Sequence, residues 1–516
     1  MKKFMNKIIF LLISFLTLIF AACMLWDIDE LREKAWINGG NCAVCWKKPC
    51  ICDMPGNVCP GCGEWTLTIN PTCTTEGEET KTCAINEAHN EWRVIAALGH
   101  NWGEWTAKIS PTEITDGVEE GVCGNDSSHI ENRVLFATGT IGLEFELIND
   151  NTEYSVRGGA VTGGEVYIPS FYCHNADSDY LPVTRIGSIN DTWESGAFTS
   201  RDITAIQFLA PSNLSCIGAF AFVDCFNLTE ITLPAGITSI GDWAFFGCVN
   251  LIEITLPAGV TSIGDGAFSQ CKNLTEITLP AGITSIGDGA FSQCENLTEI
   301  TLPAGLTSIG NSAFSYCTSL TEITLPLGLT SIDDWTFFHC TNLTEIILPS
   351  GLTSIGERAF QSCTSLTEIT LPAGLSSIGN FAFSGCSNLI FIINGTSNLS
   401  IIDGGKGLVR NNTEILAYPS ASGVVTLPAE LSSIGCAAFY GCIGLTEITL
   451  PTGLSSIGAI AFYECESLTI VTFMGIIPSN NFSPDGSFPG DLRVKYLADG
   501  IGTYTRPSDS ETWTKE

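Results

Sequence analysis

"CKNLTEITLPAGITSIGDGAFSQ", residues Cys271 to Gln293, is followed at Cys294 by "CENLTEITLPAGLTSIGNSAFSY", nearly the same string again. The pattern extends in both directions. Cys225, Cys248, Cys271, Cys294, Cys317, Cys340, Cys363 and Cys386 stand 23 residues apart without exception, and Cys442 and Cys465 resume the interval. Counted from its cysteine, the consensus carries leucine at +3, isoleucine at +6, leucine at +8, proline at +9, glycine at +11, isoleucine at +15 and Ala-Phe at +19 and +20. A fixed short period of this kind marks a solenoid, because one unit cannot bury its own apolar side and identical neighbours must cover it.

The physical reading of one unit follows from its spacing. In "LTEITLP" the alternation sends Ile277 and Leu279 to one face and Glu276 and Thr278 to the other, which predicts a half-buried strand. Pro280 has no N–H to carry the strand on, and Gly282 permits the turn that follows. Asp at +17, as in Asp265 and Asp288, precedes a segment expected to form a helical turn with Ala and Phe facing inward, and is placed as its N-cap. Cys271 and its equivalents follow that phenylalanine by three residues, so they are expected to be small core hydrophobes with free thiols. Their side-chain vectors would run parallel from coil to coil, which disfavours disulfides between neighbours.

The motif L-x-x-I-x-L-P-x-G-L-x-x-I-G-x-x-A-F-x-x-C departs from the common leucine-rich repeat, having Pro-x-Gly-Leu where an asparagine is usual. It resembles the Treponema-type variant of 23 residues found in BspA-like bacterial surface lipoproteins. The resemblance covers roughly Gly142 to Tyr504. "GLEFELINDNTEYSV" with "YLPVTRIG" is similar to the family's opening segment and "LRVKYLADGIGTYT" to its closing cap. It implies a leucine-rich-repeat solenoid over 140–475, with one short strand and one short helical turn per coil, and a C-terminal cap over 476–516. The array is interrupted near 394–418. Cys386 and Cys442 lie 56 residues apart, and "VVTLPAELSSIGCAAF" restores the register with Pro419 in the cysteine position. The Gly/Asn-rich insertion reads either as a tolerated bulge or as a binding loop.

Upstream of the array the chain changes character several times. Residues 1–23 have a lysine-bearing start, an apolar run from Ile8 to Phe20 and "AAC" ending at Cys23. They resemble a bacterial lipoprotein signal peptide, which implies lipid attachment at Cys23, although Phe20 stands where leucine is usual. The alternative is an uncleaved anchor from Ile8 to Trp26, close to the ~20 residues that span a bilayer. Both readings export and tether the chain, at the outer membrane or cell surface. A linker over 24–41 leads to a cysteine cluster over 42–62, "CAVCWKKPCICDMPGNVCPGC". Its pairs Cys42/Cys45 and Cys59/Cys62 have the spacing of a thiolate zinc site, whereas export favours disulfides. Residues 63–139 then hold two copies of a 40-residue repeat, beginning "GEWTLTI" at Gly63 and "GEWTAKI" at Gly103. Each reads as a small β module of a stalk. Cys73 has Glu113 as its counterpart, so a Cys73–Cys83 bridge would be confined to the first copy. His89 and His129 read as surface histidines.

A formal charge of −33 with only 22 Lys and Arg excludes nucleic acid and anionic membrane as main partners. No catalytic constellation emerges. A nucleophile needs a base within hydrogen-bond reach, and His339 is the lone histidine of the regular array. Carboxylates come as a ladder and not as a singular pair: Glu230, Glu253, Glu276, Glu299, Glu322, Glu345, Glu368 and Glu447 all occupy +5, beside threonines at +7. That column reads as a solvated face or as an acidic surface for a basic protein or polysaccharide. No enzyme activity and no cofactor are expected. The family resemblance implies a non-enzymatic adhesin that binds host matrix proteins, cells or glycans, with membrane attachment through the N-terminal lipid. A spacer of envelope assembly facing the periplasm is the alternative.

Overall fold

The computed structural model of the chain describes residues 64–82, 91–173, 180–187, 192, 196–199, 201–395, 398–508 and 510–516. Cys23, the cluster Cys42, Cys45, Cys59 and Cys62, and also Cys83 and His89, lie outside them. The chain divides into two compact units, residues 1–108 with 119–133, and residues 109–118 with 134–516.

In the first unit, strands Thr66–Ile69, Gly77–Lys81 and Glu91–Ile95 form an antiparallel sheet in sequence order. Thr72 Oγ1 accepts the N–H groups of Thr74 and Thr75, which fixes the turn after Pro71. Gly77 crosses that turn so closely that a Cβ would sit 2.5 Å from Pro71 Cδ, and only glycine fits. The second repeat has the same strand order in Thr106–Ile109, Gly117–Val122 and Ile130–Leu135.

The larger unit is a parallel solenoid of about eleven coils, in keeping with the repeat read from the sequence. The "EIT" strands stack in register, Ile231 beside Ile254 beside Ile277, each isoleucine buried and each flanking Glu and Thr exposed. A second strand, only Ser-Ile, makes another parallel column through Ser239–Ile240, Ser262–Ile263, Ser285–Ile286 and Ser308–Ile309. Sequence periodicity gave no sign of it, since two residues are too few to alternate.

The segment carrying Ala-Phe is a run of hydrogen-bonded turns in which two positions per coil take left-handed backbone, as in Trp243 (φ 57°) and Gln270 (φ 61°). Gly266 N, Phe268 N and Gln270 N donate to Asp288 O, Ala290 O and Ser292 O of the next coil. The N–H groups that a helix would keep for itself are spent on the neighbour, so no regular helix forms there. The Asp at +17 acts between coils too. Asp242 Oδ1 accepts Asp265 N at 2.9 Å, Asp265 Oδ1 accepts Asp288 N at 2.8 Å, and Asp288 Oδ1 accepts Asn311 N at 2.7 Å. The side chain caps the coil after its own. A Cβ on Gly287 would lie 2.5 Å from Asp265 Oδ1, which explains the glycine before each of these acids.

The core is a column of rings. Phe198, Phe222, Phe245, Phe268, Phe291, Phe314, Phe337, Phe360 and Phe383 stack with centroids 5.2 to 5.6 Å apart and planes within 20° of parallel. Such contacts add to the area each ring buries. The column ends at Phe391, which meets Phe383 edge-on at 5.0 Å and 79°. Beyond it the insertion is an ordered hairpin, Leu399–Ile402 antiparallel to Gly407–Arg410, with Glu414–Ala417 as a third strand. That third strand pairs in parallel with Ser433–Ile434 and so restarts the Ser-Ile column. Tyr418 begins a second ring stack with Phe439, Phe462 and Phe488, and its hydroxyl donates to Asp403 Oδ2 at 2.5 Å, which anchors the hairpin. Burial and the facing Asp403 carboxylate push the Tyr418 hydroxyl far above its ordinary range. An antiparallel pair, Glu144–Ile148 on Glu153–Arg157, begins the Ser-Ile column, and another, Gly502–Thr505 on Ile470–Phe473, ends the other strand column. The helix Leu492–Asp499 packs at the second end through Leu492 and Tyr496.

Candidate functional site

The glutamate column lies on the exposed side of the "EIT" strands. Glu230, Glu253 and Glu276 are direct partners on adjacent strands, and so are Glu322 and Glu345. Glu299 is exposed between them, Glu368 is exposed on the strand Glu368–Pro372, and Glu447 is half-buried. Parallel strands sit about 4.8 Å apart, so like charges recur at that step along the column. Among the described residues, no Lys or Arg pairs with Glu230, Glu253, Glu276, Glu299, Glu322, Glu345 or Glu368.

The face is not uniform. At +7 of the coil from Cys340, threonine is replaced by Ile347, which is 52% exposed, and at +10 of the coil before it alanine is replaced by Leu327, which is 80% exposed. One coil further, Ile390 and Ile392 occupy the places opposite Glu368 and Thr370. They arrive there through a one-residue slip: Phe391, at +5 where other coils carry glutamate, pairs with Ile369 and is fully buried against Phe383. The acidic ladder therefore gives way to an apolar stretch near its end. Two adjoining open grooves follow this stretch. One, of about 610 Å³, is bordered by Glu299, Glu322, Thr324, Leu327, Glu345 and Ile347. The other, of about 810 Å³, is bordered by Glu345, Ile347, Thr367, Glu368, Thr370 and Asn394. The glutamates were legible as a period. Leu327 and Ile347 were missed, and the signal that would have found them is departure from the consensus at +10 and +7.

The repeated cysteines belong to the core. Cys225 to Cys386 have no exposed surface, and each of their thiols donates to the phenylalanine carbonyl of the preceding coil, as in Cys271 Sγ to Phe245 O at 3.2 Å. Burial pushes the thiol of Cys340 up to about 12 and those of Cys248, Cys294, Cys317 and Cys363 well above the ordinary value. They are not ionised at neutral pH and offer no nucleophile. His339 stacks on Tyr316 at 5.0 Å, and among the described residues no thiol or carboxylate pairs with it.

In the first unit, Cys73 stands against Cys123 of the second repeat, Sγ to Sγ 3.4 Å; Cys83, the partner read for it from the sequence, lies outside the described residues. His100 lies beside both. Burial raises the Cys73 thiol. At Cys123 burial also disfavours ionisation, but hydrogen bonds from the backbone of Asn101 and Asn125 and from the side chains of His100 and Cys73 outweigh it and bring the thiol down to about 6. His129 is half-buried, with its ring 5.2 Å from that of His100.

A family model described as "BspA type Leucine rich repeat region" matches the chain over residues 191–321, 284–405 and 420–486, in six copies. No curated protein matches it. Among solved structures, a leucine-rich repeat protein from Bacteroides ovatus is 28% identical with a TM-score of 0.47, covering 64% of this chain and 92% of that one. A leucine rich cell surface protein from Faecalibacterium prausnitzii is 25% identical with a TM-score of 0.42, covering 69% and 80%. The leucine-rich repeat protein of T. pallidum is 25% identical with a TM-score of 0.32, covering 49% and 90%.

Proposed function

Because the chain belongs to the BspA-type leucine-rich repeat family, we propose that it is a non-enzymatic binding scaffold at the bacterial cell surface, which adheres to host matrix proteins, neighbouring cells or glycans through its glutamate face. The observation that carries this reading is the exposure of Leu327 and Ile347 inside an otherwise acidic, threonine-lined column. Exposed apolar side chains set in a polar rim are the usual make-up of a protein-binding centre. The partner surface that fits is basic, with an apolar side chain to seat between Leu327 and Ile347 and cations for Glu299, Glu322, Glu345 and Glu368.

Attachment through lipid at Cys23 is part of the same reading, in which the exported chain is tethered with its array at the cell surface. Among the described residues no helix is long and apolar enough to cross a membrane. The test has two arms. Immobilised full-length chain is screened against basic matrix proteins and acidic and neutral glycans, and intact cells are shaved with protease. Binding of a basic protein that weakens when the four glutamates become glutamine supports the reading. Protection of the array until the envelope is broken would move it to the periplasmic spacer role.

A further inference from the structure

We propose that Cys73, His100 and Cys123 form a mononuclear site for a zinc-class divalent cation, with two thiolates and one imidazole from the protein and solvent in the fourth position. One ligand atom from each of the three lies within 4.8 Å of the other two. Zinc takes thiolate at about 2.3 Å, so two thiolates at the tetrahedral angle stand about 3.8 Å apart. The 3.4 Å between Cys73 Sγ and Cys123 Sγ is near that figure and far from the ~2.05 Å of a disulfide.

Each ligand is held by the backbone around it. Cys73 lies inside the turn in which Thr72 Oγ1 accepts the N–H groups of Thr74 and Thr75, and both cysteines are buried, at 4% and 1% exposure. Cys123 forms a bridge with Trp102, its N–H donates to His129 O at 3.0 Å, and the next N–H, of Gly124, donates to Asn101 O at 2.7 Å. His100 is exposed, yet its ring is stacked on Trp102 at 4.7 Å and 13°, which turns one edge toward the thiols. A disulfide would make no use of that imidazole. The three residues come from the first repeat, the second repeat and the connection between them, so a bound ion would staple the two copies.

The test uses the full chain, reduced, with Cys42, Cys45, Cys50, Cys52, Cys59 and Cys62 changed to serine so that the N-terminal cluster cannot contribute. Cobalt titration is read by the thiolate charge-transfer band, and zinc by competition and by metal analysis. The expected result is one bound ion per chain, loss of the band in Cys123→Ser, and at least about tenfold weaker binding in His100→Ala, the scale on which even outer-shell partners matter. His100 is exposed, so its alanine variant leaves the module's core in place and keeps the test informative if a cysteine variant does not fold. An unchanged cobalt spectrum in both variants would overturn the proposal. So would peptide mapping that finds Cys73 joined to Cys123 in the unreduced chain from the bacterial envelope.

Discussion

The Sγ of Cys271 lies 3.2 Å from the carbonyl oxygen of Phe245 in the coil before it, and Phe245 is stacked on Phe268 just ahead of that cysteine. The thiol fastens one coil to the last while its neighbouring ring does the same. Native alkylation should therefore leave Cys248, Cys271, Cys294, Cys317, Cys340 and Cys363 unmodified, and denaturant should expose them all together. Mass spectrometry of labelled peptides checks this, and rapid labelling of Cys271 in the folded chain would contradict the packing.

The same column makes the array sensitive to alkali. A free thiol ionises near its ordinary value of 9.0, while the buried Cys340 is held protonated up to about 12. Between those values the unfolded chain has lost a proton that the folded chain keeps, so stability is full below about pH 9 and falls as pH rises toward 12. Urea midpoints measured across this window should decline, and the decline should be shallower in Cys340→Ala. A flat profile would show that the thiols reach water.

Phe291 is stacked between Phe268 and Phe314, with centroids 5.5 Å away on both sides, and has no exposed surface. Phe291→Ala removes a fully buried ring and leaves a cavity that rigid coils above and below cannot fill. The expected loss is about 3–5 kcal/mol in urea unfolding. Phe291→Leu should cost clearly less.

Asp265 Oδ1 accepts the N–H of Asp288 across the coil boundary, and Asn311 Oδ1 makes the same bond to Asp334 N. The acceptor oxygen matters and the charge does not. Asp265→Ala should lower stability by about 1 kcal/mol, and Asp265→Asn should restore most of it. Equal losses in both variants would point to charge instead.

Ile347→Thr and Leu327→Ala return two exposed positions to the repeat consensus. Away from the core such changes stay within about 0.5 kcal/mol of the parent. Partner affinity, measured by surface binding of the full chain, should fall by tenfold or more if these side chains are the centre of the interface. Glu230→Gln, distant along the column, serves as the comparison and should change affinity little.

The sequence by itself determined the solenoid. A 23-residue period with alternating "EITL" leaves stacked parallel coils as the way to cover every isoleucine, leucine and phenylalanine, and it set the cysteines in the wall and the glutamates outside. Only the tertiary structure decided what passes between coils. The turn run around Phe268 gives its N–H groups to the next coil, and Asp265 caps its neighbour instead of itself, because a donor's partner in a stack lies one period away. The slip that buries Phe391, and the hairpin that restarts the array at Glu414–Ala417, depend on register against the neighbouring strand, which no single coil encodes. Cys73 met Cys123 and His100 for the same reason: the residues lie in different repeats, and only folding brings them within reach.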